Sequence, residues 1–226
     1  MRTRQGLRIH PGEQEHTLAE ELANAVTHGI GTLLAAAAFV LLVVLGTVHG
    51  TLEHVLALAV YGATLVILYL ASTLYHSVRH RRARRLFRLF DHAAIFLLIA
   101  GTYTPYALIG MGGAAGWLLF AAIWTAAAAG IAFKVMCLDR YERASLVFYL
   151  AMGWIGVLAL GPLMRSIETE GLLLLALGGL AYTGGVLFYL WEGLPFNHAV
   201  WHLFVLCGSA SHFLSIYLYV AAPNAA

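Results

Sequence analysis

Seven apolar runs, each long enough to cross a membrane, alternate with short polar joins along this chain. They cover about Val26–Val48, Val55–Ser77, Asp91–Ile109, Gly113–Phe133, Ser145–Leu163, Gly171–Leu190 and His198–Val220. A helix rises about 1.5 Å per residue, so each run can span a hydrocarbon layer of about 30 Å. Strand-like alternation of apolar and polar positions is absent, which argues against a β-barrel. The pattern predicts an all-α integral membrane protein, a seven-transmembrane helix bundle. Pro105 and Pro162 fall within or beside apolar runs and are expected to kink or end helices. Gly178, Gly179, Gly184 and Gly185 give the sixth run a small-residue packing face.

Composition agrees with a membrane chain. Hydrophobic residues are 61% and charged residues 11% of the 226, against about 45–50% and about 25% in soluble domains. No room is left for a separate soluble domain. Residues 1–25 read as a polar segment, 26–220 as the bundle and 221–226 as a short tail. No short apolar core precedes the first run, so that run is expected to stay as a helix rather than be cleaved as a signal. Cys137 and Cys207 are badly matched in depth for a disulfide and suggest no Cys-rich metal site.

Charge orients the bundle. Arg2, Arg4 and Arg8 precede the first run; Arg79, Arg81, Arg82, Arg84, Arg85 and Arg88 lie between the second and third; Lys134, Arg140 and Arg143 lie between the fourth and fifth. Twelve of the 13 basic residues thus fall on one side of a seven-span chain, and only Arg165 on the other. The positive-inside rule then places the N-terminus in the cytoplasm and the C-terminus outside. The run His80–Arg88 reads as a topology signal and a contact for anionic lipids. It is too short to argue for nucleic-acid binding.

The histidines now fall on this map. His198 and His202 are four residues apart where the seventh run opens, so a helix puts both on one face. His76 ends the second run, and Asp91 and His92 open the third, at the same cytoplasmic depth. Glu20, Glu21, Asn24, Thr27 and His28 stand where the first run begins, on that same side. Charge counting used no histidine, so this convergence is independent of the topology. Three imidazoles plus a water are a common catalytic zinc set, although imidazole alone also suits copper or iron. Asp91 is placed to bind or orient the water, and Ser72 lies one helical turn before His76 on the same face. The alternative is that these histidines hydrogen-bond between helices. Asn24 and His28 read as support for the ligands through Glu21 or as helix-entry caps. His212 lies about 15 Å deeper than His202 by helical rise, too far to share the ion. It is expected to hydrogen-bond between helices, with Ser209 or Ser211.

Ser72-x-x-x-His76, Asp91 and His198-x-x-x-His202 together resemble the pattern of the hemolysin III family. That family belongs with the progestin and adiponectin receptors and the alkaline ceramidases in one superfamily of seven-span proteins. Glu21-Leu22-Ala23-Asn24-Ala25-Val26-Thr27-His28-Gly29 suggests the bacterial branch, as do the stretches from Phe90 to Pro105 and from Trp201 to Ser209. The resemblance covers nearly the whole chain from residue 20. It implies one zinc ion near the cytoplasmic face, held at His76, His198 and His202, with Asp91 and Ser72 attending the metal-bound water. It also implies a bacterial cytoplasmic membrane location and membrane lipids as partners. Receptor function is not carried over, because the long cytosolic region of that branch is missing. Two function classes remain: a zinc-dependent hydrolase of a lipid amide or ester, or a membrane-homeostasis regulator with a structural zinc. A stable pore is disfavoured, since no run carries a continuous polar face. An open coordination position facing a lipid-sized cavity separates the first two.

Overall fold

The computed structural model describes residues 16–137 and 142–221. Arg2, Arg4, Arg8 and Arg140, and the tail beyond Ala221, lie outside the described residues. Among the described residues every regular element is helical: α1 Leu18–His49, α2 Leu52–Ser77, α3 Arg81–Pro105, α4 Gly113–Cys137, α5 Glu142–Gly153, α6 Leu160–Ser166, α7 Thr169–Tyr189 and α8 Asn197–Tyr219. A π-helical turn, Tyr106–Met111, prolongs α3, and a 3₁₀ segment, Ile155–Ala159, joins α5 to α6. Counting α5 and α6 as one broken span, seven helical stretches are long and apolar enough to cross a membrane. The chain is a multi-pass membrane protein.

The helices differ from the apolar runs at their ends, for local reasons. α1 starts at Leu18 because Thr17 and Glu20 form a capping box: the Glu20 amide donates to Thr17 Oγ1, and Thr17 N–H donates to Glu20 Oε2. α3 starts at Arg81, so the basic run is the first turns of a helix and not a loop. Arginine is a good helix former, and its long stem lets the charge reach the interface. Lys134, expected in a loop, lies inside α4 and is 1% exposed. The tight join between the third and fourth spans uses Gly112 and Gly113, whose φ values of 59° and 56° only glycine adopts freely.

At Pro105 the α-helical geometry of α3 gives way to the π-helical turn, within one continuous span. Pro162 sits inside α6, and the break comes just ahead of it. Its missing N–H and its ring act on the carbonyl four residues back, within the 3₁₀ segment. Tyr103 repairs the break: its hydroxyl donates to Gly153 O at 2.6 Å and accepts from Gly156 N–H at 2.7 Å.

Two apolar cores hold the helices. One joins α1, α2, α3 and α8 through Leu42, Leu58, Tyr61, Leu65, Leu98 and Ile216. The other joins α3, α4 and α5 through Phe96, Ala100, Ile123, Ala127 and Met152. Outward-facing Leu33, Val40, Leu118, Leu173 and Leu187 are exposed, as expected for lipid-facing positions. α2 lies between α1 and α3, while α8 packs on α7 and α1. This brings the starts of α1 and α8, the end of α2 and the early turns of α3 together at the arginine-bearing end.

Candidate metal centre

α8 must begin at a fixed point for His198 to fall in its first turn. Phe196, just before it, has left-handed backbone (φ 58°), which disfavours a bulky side chain. Phe196 N–H donates to Glu20 Oε1 at 3.1 Å, so the residue that caps α1 also holds the start of α8. The Asn197 amide donates to Tyr189 O at the end of α7.

His76, His198 and His202 each offer a ring nitrogen, and the three atoms lie within 4.8 Å of one another. His76 and His202 are buried and His198 half-buried. The His198–His202, His76–His198 and His76–His202 ring centroids are 4.6, 5.0 and 5.1 Å apart. This triad can hold a metal ion.

α1 sets the histidine tautomers. Glu21, Asn24 and His28 recur at helical spacing on its inner face. His76 Nδ1 donates to Glu21 Oε2 at 2.7 Å, and Arg84 donates to the other carboxylate oxygen. In a neutral imidazole this bond puts the proton on Nδ1 and the lone pair on Nε2. That Nε2 is buried with no hydrogen-bond partner, as is Nδ1 of His198. His202 Nδ1 lies 3.3 Å from Asn24 O and 3.2 Å from Thr27 Oγ1. The Thr27 hydroxyl already donates to Ala23 O and Asn24 O. His202 Nδ1 must therefore be the donor, which in the neutral imidazole leaves the lone pair on Nε2. Histidine ligands of metals are commonly held in this way by carboxylates and carbonyls. Buried nitrogens left bare on the other side are what an ion needs, and imidazole nitrogens suit zinc.

Ser72 and Asp91 stand in the wall of a cavity of about 170 Å³ together with His198 and His202. The Ser72 hydroxyl is buried beside the Asp91 carboxylate. The cavity runs inward past Leu68, Ile95, Leu98 and Val205 to Tyr182, Thr183 and His212. Its walls are mostly apolar, and α5 and α7 close one side through Tyr149, Leu150 and Val186, with Trp154 from the turn after α5. His212 is interhelical as expected, but its partner is a backbone carbonyl, Leu175 O, at 3.0 Å. Ser209 is taken by Tyr69 and Tyr182, and Ser211 bonds back along its own helix. Gly178 makes room for the His212 ring, and Gly185 for Trp201 and Phe204.

The chain belongs to the haemolysin-III-related family. The profile of that family matches residues 16–213. Hemolysin-3 of Bacillus cereus is 49% identical over 201 residues, 89% of this chain and 92% of that protein. The Hemolysin-3 homolog of Bacillus subtilis (strain 168) is 42% identical over 203 residues, 90% and 95% of the two chains. The monocyte to macrophage differentiation factor of Homo sapiens is 31% identical over 215 residues, 92% and 88%.

Three residues reach the site without a warning in the apolar pattern. His16 lies with its ring 5.1 Å from His198, and burial pushes its imidazole below the ordinary histidine pKa. Lys134 and Ser145 share the cavity wall with Asp91. By its place in the sequence Lys134 counts as a topology charge, and nothing in the spacing distinguishes it from one.

Proposed function

We propose that this member of the family is a zinc-dependent hydrolase of a lipid amide in the bacterial cytoplasmic membrane, its site at the cytoplasmic end of the bundle. One observation carries the reading. Bare, buried imidazole nitrogens converge beside an apolar cavity that also holds a carboxylate and a serine hydroxyl. A purely structural metal needs no such cavity. His76, His198 and His202 hold the zinc, which when bound polarises a carbonyl and brings the pKa of its water to about 7. The apolar wall from Leu68 to Val205 takes the acyl chain and excludes water. Asp91 accepts a proton at its carboxylate and returns it to the leaving amine. Ser72 Oγ orients the water or the substrate oxygen.

The test compares membranes carrying wild type or Asp91→Asn at equal expression, by lipid profile and by hydrolysis of a long-chain amide. The variant keeps the shape of the side chain and loses the proton acceptor. Hydrolysis is expected to fall by about 10²–10⁴ with zinc retained. Unchanged lipids and a lowered melting temperature would instead make the zinc structural and the protein a regulator of the membrane.

A further inference from the structure

His28 is 3% exposed, and both of its ring nitrogens are buried without a hydrogen-bond partner. Its ring stacks on His202 at 3.4 Å between centroids and 12° between planes. Tyr69 packs against it at 5.0 Å, nearly perpendicular. His28 also shares the cavity wall with Ser72 and Asp91. His28 lies outside the group of three converging metal ligands. A neutral imidazole carries one N–H donor and one acceptor. Buried polar groups of this kind are nearly always satisfied, so a pair left bare on a cavity wall marks a place for a polar ligand.

We propose that His28 is a substrate-binding residue that hydrogen-bonds the amide head of a long-chain lipid lying in the cavity, a role that rests on the lipid-amide reading above. The stack on His202 sets the imidazole beside the metal ligands, where the head group of a substrate arrives. The amide offers both an acceptor oxygen and, in most lipids, a donor N–H, which suits either tautomer of His28. An imidazole that only filled space here would be replaceable by a phenyl ring.

The experiment uses the purified protein in detergent, zinc-loaded and chelator-stripped, titrated with oleamide in a calorimeter, with zinc measured in every sample. His28→Phe keeps the ring and the stack and removes both hydrogen-bonding atoms. It is expected to weaken oleamide binding about tenfold, as loss of one buried hydrogen bond does, with zinc content unchanged. His28→Gln is expected to recover most of the affinity. Oleamide binding to His28→Phe as tight as to wild type would overturn the role, as would failure of wild type to bind oleamide in either form. Loss of zinc from both variants would also overturn it, by making His28 a support of the metal. Amide hydrolysis tells the two readings apart. Weakened binding in His28→Phe without any turnover by wild type upholds His28 and removes the enzyme; turnover with unweakened binding removes only His28.

Discussion

Glu21 and His76, fifty-five residues apart in sequence, meet in a 2.7 Å hydrogen bond in which the imidazole Nδ1 donates to the carboxylate. The bond joins the start of α1 to the end of α2 and turns Nε2 of His76 toward His198 and His202. Glu21→Gln keeps a carbonyl oxygen but loses the charge that favours the donor tautomer. Zinc affinity is expected to fall by about 10–100-fold, read by competition with a chromogenic chelator. Wild-type affinity in this variant would show that α1 does not tune the site.

The one-sided basic residues predict a cytoplasmic N-terminus. In a background without the native cysteines, a membrane-impermeant thiol reagent added to intact cells is expected to label Thr51→Cys and to miss His80→Cys. Both positions are exposed and stand at opposite ends of α2. The reverse pattern would place the site outside.

The fifth span tests how a broken helix is tolerated. Tyr103→Phe removes the hydroxyl that serves Gly153 O and Gly156 N–H. Backbone groups stripped of a partner away from water cost about 1–3 kcal/mol. The melting temperature in detergent should fall, while zinc content holds.

Gly178→Ala would drive a methyl group into the His212 ring. Overpacking of this kind costs about 1–3 kcal/mol. A melting temperature equal to that of wild type would mean that α7 and α8 can part without loss.

Much of this was legible in the chain. The seven runs and the one-sided basic residues gave the bundle, because transfer to lipid depends on composition that sequence displays directly. His198 and His202 declared themselves by a four-residue spacing, and His76 by its depth. Which α1 side chain meets which of the three histidines was only partly visible. Glu21 and Asn24 stood at the right depth, but which of them bonds His76 and which backs His202 depends on helix rotation, and sequence does not fix that. Lys134 was misplaced because a cation near a span end has the same signature in a loop or in a wall. Pro162 signals a break in the fifth span, but α5 already ends at Gly153, nine residues earlier, where the proline marks nothing.

The most direct test of the account is the metal content of the protein purified without chelators, measured by elemental analysis. The wild type is expected to carry about one zinc per chain, filling the open-sided three-histidine set. His76→Ala, His198→Ala and His202→Ala should each lose most of it, and Asp91→Ala should keep more. A folded His198→Ala, His202→Ala double variant that retains its full zinc would contradict the metal centre.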